Sequence, residues 1–329
     1  MSEFRHQHAS HCESGVMSAI VRHYGLPFSE PMAFGLASAL SFAWLPFVKL
    51  GGLPLVAYRM PPRAIIRGLQ KPLGLKMRTE TFRDPARGEA RLNELLAAGT
   101  VVGLQTSVFW LPYMPEDLRF HFNAHNVLAY GRDAGDYLIS DPVFEEPVRC
   151  AAADLGRARF ARGVLAPKGL LYYPENRPQE PAWERALPAA IRKTVRVMLH
   201  TPIPLIGTRG IDRAARAIGR LPASGDTRHA KLFIGHLVRM QEEIGTGGAG
   251  FRYMYASFLE EAAARLNRAA LRECAARLVD IGDGWREFAL VAARMIRDRE
   301  ALDPARLAAL LHERAARERA FFTDLGRAL

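Results

Sequence analysis

Residues 124–142, AHNVLAYGRDAGDYLISDP, contain the pattern that decides the expected fold of this chain. Two runs within it, HNVLAY and DYLI, have the alternation and apolar content of β-strands, and the glycines between them are typical of a tight turn. We therefore expect an antiparallel hairpin in which His125 opens the first strand and Asp141 ends the second. In such a hairpin the two side chains can meet at one end of the sheet.

The segments around this hairpin indicate an α+β fold class. Apolar residues recur at three- to four-residue spacing from Glu13 to His23, which predicts a helix that starts immediately after Cys12. A mixture of helices and short strands is expected to follow. The further helices are predicted after Glu30, over 63–69 and over 88–98, and the further strands over 100–106 and 169–173.

The longest uncharged run, MAFGLASALSFAWLPFV, occupies residues 32–48. A membrane-spanning helix needs about 20 consecutive apolar residues, and this run is shorter and contains Gly35 and Pro46. We therefore expect a buried helix followed by a turn, with a membrane-inserting segment as the alternative. No apolar segment typical of a secretory signal precedes it.

The carboxy-terminal half is predicted to be almost wholly helical. Four prolines fall within residues 174–188, PENRPQEPAWERALP, where little apolar periodicity remains, so this stretch is expected to be a linker. Beyond it, apolar faces at helical spacing cover 251–266, 271–281 and 285–296. Short connections between these helices imply antiparallel packing, as in a helical bundle.

Length and composition fit two globular domains. The chain has 329 residues, of which 49% are apolar and 24% charged, and a typical domain has about half that length. We expect a catalytic domain at 1–173, the linker at 174–188 and an all-α domain at 189–329.

The three cysteines, Cys12, Cys150 and Cys274, are widely spaced and form no CxxC pair. An odd number at these spacings disfavours a disulfide framework and a structural zinc site. A reducing, cytoplasmic location is therefore expected. The histidines near the amino terminus could bind a metal, but no carboxylate or thiol is spaced to complete a site, so we predict a polar segment and no metal.

The chain carries a formal net charge of +11. A positive surface raises the rate of association with an acidic partner, such as an acyl carrier protein or a nucleic acid. Zinc-finger spacing, RNP-type aromatic motifs and a heptad-backed basic region are all missing from the sequence, which disfavours nucleic acid. A coding bias towards arginine would also account for much of the charge.

Cys12 is a candidate nucleophile. At the start of a helix, the partial positive charge and the free N–H groups favour the thiolate. His125 could take the thiol proton, and Asp141 could orient the imidazole and stabilise its charged form. Taken singly, each has an ordinary explanation: a buried inert cysteine, a structural histidine and a turn-forming Asp-Pro. Their order along the chain, Cys then His then Asp, favours the catalytic interpretation.

Several longer motifs resemble one family. These are HCESGVMSAI and SEPMAFGLASALSF near the amino terminus, HNVLAYGRDAGDYLISDP, and GGAGFRYMYASFLEEAA with IGDGW in the helical half. Together they resemble the butirosin-biosynthesis acyltransferase family, whose amino-terminal domain is similar to papain-like C39 peptidases and is accompanied by a helical domain. The resemblance implies a papain-like cysteine-protease-type domain followed by an all-α domain.

The same resemblance implies an activity in specialised metabolism. An acyl group would pass from a carrier-protein or CoA thioester to an amine or hydroxyl acceptor. Cys12 would attack the thioester, His125 would move the proton and Asp141 would orient His125. C39-like peptidases use a Gln that precedes the Cys as an oxyanion donor, and Gln7 is the candidate here, with the backbone N–H of Cys12 as a second donor. No cofactor is implied.

Four other side chains are candidates for substrate binding. Gln105 ends a predicted strand on the side of the site. Trp110 and Tyr113 could line an acyl channel or belong to the core. Arg252 flanks the glycine-rich loop GTGGAG, which could hold the phosphate of a pantetheine arm or simply connect two helices.

Two alternative functions remain open from sequence. A cysteine hydrolase, such as a peptidase, amidase or thioesterase, would use the same three residues and pass the acyl group to water. A non-catalytic binding protein of a biosynthetic assembly would need none of them. The identities of donor and acceptor and the oligomeric state have no signal in the sequence.

Overall fold

The computed structural model describes residues 4–50, 52–116 and 119–329. Within these residues it contains eleven α-helices and eight β-strands, together with short 3-10 helices at Val108–Trp110 and Ala249–Phe251. The helices are α1 (Cys12–His23), α2 (Glu30–Leu36), α3 (Ala64–Gln70), α4 (Pro85–Ala97), α5 (Ala152–Arg159), α6 (Trp183–His200), α7 (Gly207–Ile218), α8 (Arg228–Glu242), α9 (Arg252–Leu266), α10 (Ala269–Ile296) and α11 (Pro304–Arg327). The strands are β1 (Leu40–Leu50), β2 (Leu53–Arg59), β3 (Met77–Glu80), β4 (Val102–Thr106), β5 (His125–Asp133), β6 (Asp136–Ser140), β7 (Val148–Cys150) and β8 (Leu171–Pro174).

The chain folds into two compact units. The first comprises the chain up to Ala33 together with Pro62–Pro181, and the second comprises Phe34–Pro61 together with Ala182–Leu329. The first is α+β and the second is mainly helical, which confirms the predicted fold class. These two units differ from the predicted domains at residues 34–61. This segment lies early in the sequence, but it packs with the carboxy-terminal helices.

The first unit is built on a six-stranded antiparallel sheet, with the strand order β3-β8-β4-β5-β6-β7. The predicted hairpin is its centre: β5 and β6 pair from Leu128↔Ser140 to Asp133↔Asp136. Gly135, with φ of 95°, supplies the left-handed backbone that this turn needs. One face of the sheet is covered by α4 and α5, whose leucines share a buried core with Val127 and Ile139. The helix α1 lies against β5.

The prediction of a helix followed by a turn over residues 32–48 is wrong for most of that run. The helix α2 ends at Leu36, and the residues that follow form β1, which pairs with β2 in an antiparallel hairpin. Phe42 and Trp44, two residues apart, are buried against Trp285 and Phe233 of the helical half. Alternate residues of β1 are buried because they pack on helices that are distant in the sequence. The uncharged run itself is equally compatible with a buried helix, so the sequence could not identify a strand here.

Two helices predicted over 271–281 and 285–296 are a single helix, α10. The glycines of IGDGW do not interrupt it, because they serve packing. A Cβ atom at Gly282 would lie 2.6 Å from the Tyr253 ring, and one at Gly284 would collide with the Arg314 side chain. The glycines therefore allow close approach of neighbouring side chains within a continuous helix.

A buried ion pair lies in the core of the second unit. The Arg252 guanidinium donates to both carboxylate oxygens of Glu318, at 2.8 and 3.0 Å, and to the carbonyl of Gly250. Both side chains are fully buried. The indole N–H of Trp285 donates to the same carboxylate at 2.6 Å. The charges are thus paired and hydrogen-bonded, as buried charges must be.

In the part of the chain that the structure describes, no helix combines the length and the apolar character required to cross a membrane.

Removing Glu318 should strongly destabilise the second unit, because the Arg252 charge would stay buried without its partner. We expect Glu318→Ala to lower the free energy of unfolding by about 3 to 5 kcal/mol, measured by urea denaturation. The matched control is Asp324→Ala on the same helix, which removes an exposed pair with Arg277 and should cost less than about 1 kcal/mol. Equal effects of the two variants would contradict the expectation.

Candidate active site

Cys12 is the first residue of α1 and is buried. The helix begins there because His11 has extended backbone angles and its ring Nδ1 accepts a hydrogen bond from the Ser14 N–H at 3.3 Å. Glu13 in the first turn agrees with the positive end of the helix dipole. The thiol therefore lies at the end of a helix where negative charge is favoured.

Two carboxylates, of the partly buried Glu30 and the buried Glu13, hold this helix start in place. Glu30 accepts hydrogen bonds from the N–H groups of Ser10 and His11, both at 2.8 Å, and from the Ser14 hydroxyl at 3.0 Å. Burial raises the pKa of Glu30, and the hydrogen bonds to Ser10, His11 and Ser14 oppose that shift. Glu13 accepts from the first N–H groups of α3, including that of Ile65 at 2.9 Å. The segment that bears Cys12 is thus fixed on both sides.

His125 opens β5, and its Nε2 lies 2.7 Å from Oδ2 of Asp141, directly after β6. Asp141 is completely buried. Its Oδ1 accepts from the N–H of Val143 at 3.3 Å, and its Oδ2 also accepts from the Tyr113 hydroxyl at 3.1 Å. The carboxylate is therefore oriented by the backbone and by a tyrosine, and it in turn orients the imidazole.

The Cys12 side chain lies close enough to the His125 ring to affect its pKa. Burial alone would lower the pKa of His125. The negative charge of Asp141, its hydrogen bond and the contact with the Cys12 thiolate outweigh burial and raise that pKa to about 10. Because Asp141 engages Nε2, the ring presents Nδ1 to the thiol. The arrangement can hold a thiolate–imidazolium pair at neutral pH.

The other two cysteines lack such an environment. Cys150 and Cys274 are both buried and free of disulfides. Burial raises the pKa of Cys150 to about 12 and also raises the pKa of Cys274. A thiol that keeps its proton is a poor nucleophile.

The substrate-contact residues predicted in the first unit have other partners. Gln105 is buried, and its amide donates to the carbonyls of Asn123 and Leu165 at 2.8 and 3.1 Å, which ties down the loop after α5. The Tyr113 hydroxyl is engaged by Asp141. Trp110 is partly exposed and stacks with Arg157.

Gln7, the predicted oxyanion donor, is exposed, whereas Cys12 is buried. The neighbouring His6 is held between the Ser140 hydroxyl and the Phe144 carbonyl, at 2.7 and 2.9 Å. This segment therefore runs beside the chain around Asp141, and the role of Gln7 stays a prediction.

Arg252, predicted to bind substrate, is the buried partner of Glu318 described above, so no accessible cation exists at that position. The adjoining glycine-rich loop connects α8 and α9, and the N–H of Ala249 donates to the Glu242 carboxylate at 3.2 Å. A carboxylate thus occupies one of the N–H donors of this loop.

Sequence reasoning did not identify Asn126, which the structure places next to the thiol. Its Nδ2 lies 3.7 Å from Cys12 Sγ. Successive residues of a strand point to opposite faces, so a residue adjacent to His125 would not be expected at the same nucleophile. The Cys12 sulfur lies at the beginning of β5, where the side chains of His125 and Asn126 can both reach it.

The family model described as Butirosin biosynthesis protein H, N-terminal, matches residues 11–142, which confirms the resemblance seen in the sequence. A second model, described as Domain of unknown function (DUF4872), matches residues 153–325, more than half of the chain. The chain belongs to the DUF4872 family.

A solved structure of a protein named as a C39-like peptidase from Bacillus anthracis is also similar. The two share 15% identity with a TM-score of 0.38, and the match covers 54% of this chain and 98% of that one. A likeness at this level does not bear on activity. No curated protein matches this chain.

The alkylation of Cys12 should depend little on pH in the neutral range. The His125 imidazolium persists to about pH 10, whereas a free histidine has a pKa of about 6.5. We expect the rate with iodoacetamide to be nearly level between about pH 7 and about pH 9, because the ring already holds the thiol proton. In His125→Ala the rate should rise about tenfold per pH unit below the thiol pKa.

The matched control is His121→Ala, whose exposed ring stacks on Phe109 and should leave the profile unchanged. A Cys12→Ala variant corrects for the other thiols. A wild-type rate that climbs with pH as a free cysteine does would contradict the thiolate–imidazolium pair.

Proposed function

We propose that this protein transfers an acyl group from a carrier-protein or CoA thioester, through an acyl-Cys12 intermediate, to an amine or hydroxyl acceptor in specialised metabolism. The observation that carries the proposal is the position of Cys12, the first residue of α1, beside the hydrogen-bonded pair of His125 and Asp141. The match of residues 11–142 to the model described as Butirosin biosynthesis protein H, N-terminal, supports a role in a biosynthetic pathway.

In the first half-reaction the Cys12 thiolate attacks the thioester carbonyl carbon, forming a new C–S bond. The tetrahedral intermediate collapses, the donor C–S bond breaks, and the His125 imidazolium gives its proton to the departing thiolate. In the second half, neutral His125 takes a proton from the acceptor as it attacks the acyl-Cys12 carbonyl. Cys12 leaves as a thiolate, which restores the starting thiolate–imidazolium pair.

Asp141 keeps its charge through both halves. Its Oδ2 stays within hydrogen-bonding distance of His125 Nε2, so it fixes the ring with Nδ1 facing the thiol and stabilises the imidazolium. Tyr113 orients this carboxylate, and burial together with the Asp141 charge raises its own pKa well above the ordinary value. The phenol therefore remains a donor throughout the cycle.

An acidic acyl carrier protein is the donor that we favour. The chain has a net charge of +11, and opposite charge speeds encounter between partners. The acyl-enzyme chemistry itself needs a thiol, a base and an orienting carboxylate, and this chain supplies all three. Its three cysteines are free, which suits a reducing, cytoplasmic environment.

Acylation of Cys12 should be visible as a mass increase of the intact protein. We expect incubation with acyl carrier protein thioesters to add one acyl group to the wild-type chain, measured by intact-mass spectrometry. Cys12→Ala should show no adduct, and Cys150→Ala should be acylated like the wild type because that thiol keeps its proton. An adduct that survives in Cys12→Ala would overturn the assignment of the nucleophile.

A chase of the isolated acyl-enzyme then separates the two enzymatic alternatives. The same Cys12, His125 and Asp141 would also serve a hydrolase, because acylation is shared and only the second acceptor differs. For a transferase we expect the acyl group to appear on an added amine or alcohol faster than it is lost to water. Loss to water at the same rate with and without candidate acceptors would support a peptidase, amidase or thioesterase. An unreactive Cys12 would support a binding protein.

A further inference from the structure

We infer that Asn126 is a catalytic residue that donates a hydrogen bond to the carbonyl oxygen when it becomes negatively charged, and that Tyr172 holds it in position. The inference rests on the proposed function, since it takes Cys12 as the nucleophile. It assigns a different oxyanion donor from the exposed Gln7.

Asn126 is buried, and both ends of its amide are engaged. Of the two N–H bonds on Nδ2, one points to the carbonyl of Ala124 at 3.2 Å and the other to Cys12 Sγ at 3.7 Å. Its Oδ1 accepts from the Tyr172 hydroxyl at 3.0 Å. Because the tyrosine donates to Oδ1, the amide cannot rotate without losing that bond, and the N–H side stays directed at the sulfur.

A donor that contacts the sulfur is within reach of an oxyanion. When Cys12 Sγ bonds to a carbonyl carbon, the carbonyl oxygen is attached to that same carbon. The oxygen therefore lies close to groups that contact the sulfur, such as the Asn126 amide. In the free protein the Asn126 N–H faces the thiol, and during attack it can move its hydrogen bond to the oxygen where charge develops. The backbone N–H of Cys12, on the same residue as the thiol, can supply a second donor.

The fold makes room for this arrangement at Gly103. Tyr172 of β8 is separated from Asn126 of β5 by β4, in which Gly103 pairs with Tyr172. A Cβ atom at Gly103 would lie 2.2 Å from the Tyr172 ring. Because Gly103 has no side chain, the Tyr172 ring can cross β4 at this residue. The Tyr172 hydroxyl then reaches the Asn126 amide. Burial, together with the nearby charges of Glu13 and Cys12, raises the pKa of Tyr172 well above its usual value, so it remains a donor.

Two reactions of the same thiol test the assignment. Acylation by p-nitrophenyl acetate passes through an oxyanion, whereas alkylation by iodoacetamide is displacement at a saturated carbon and forms none. In Asn126→Ala we expect the acylation rate to fall about 100- to 1,000-fold while the alkylation rate changes by less than about threefold. The ratio of the two rates is measured within each variant, so a reduced folded fraction cancels.

Tyr172→Phe should lower the acylation rate about tenfold, as for the loss of one hydrogen bond that orients the donor, again with little effect on alkylation. The matched control is Tyr173→Phe, which makes the same change one residue along β8. The Tyr173 hydroxyl bonds Glu80 and Arg91, away from the thiol, and the ratio should be unchanged.

Several outcomes would overturn the inference. If both rates fall together in Asn126→Ala, the amide acts on the thiolate and not on the oxyanion. An unchanged ratio, or a wild-type chain that is alkylated but not acylated, means that no oxyanion is stabilised by Asn126. Acylation by the nitrophenyl ester without acylation by carrier thioesters would instead count against the proposed function and leave the role of Asn126 intact.

Discussion

The hydrogen bond between His125 Nε2 and Asp141 Oδ2 is the interaction on which the proposed site depends. It exists because β5 and β6 form an antiparallel hairpin. The start of β5 and the end of β6 therefore lie side by side at the same end of the sheet. The pair is buried, which makes the electrostatic interaction strong. The charge of Asp141 helps to keep the imidazole charged although burial itself opposes this. The thiol of Cys12 then needs only to be brought to the free side of the ring.

The position of the thiol is determined by the contacts that hold the helix α1, and not by the residues that take part in the reaction. The helix α1 is held by Glu30 at the residues before Cys12 and by Glu13 at the start of α3. Neither carboxylate touches a reacting atom, yet a shift of the helix start would break the contact with His125. Catalytic geometry of this kind tolerates little displacement, so these two carboxylates are important for the site although they take no part in the reaction.

Much of the architecture could be predicted because its signals are local. The helix after Cys12, the β5–β6 hairpin and the helical carboxy-terminal half all follow from periodicity and turn residues. The failures have long-range causes. The strands β1 and β2 are stabilised by helices more than a hundred positions away, and the glycines within α10 are packing sites for Tyr253 and Arg314. Arg252 was predicted to bind a ligand because its partner Glu318 is distant in the sequence, so that no local pattern indicated their ion pair.

The amino-acid sequence by itself determined the helix after Cys12, the β5–β6 hairpin and the helical carboxy-terminal half, and it suggested the three residues of the proposed site, because periodicity and turn residues are local signals. Only the tertiary structure decided which side chains surround the thiol. Asn126, Tyr172 and Gly103 come from three strands and act together only across the sheet. The physical reason is that strand pairing joins residues without regard to their separation along the chain, whereas sequence patterns report the immediate neighbours.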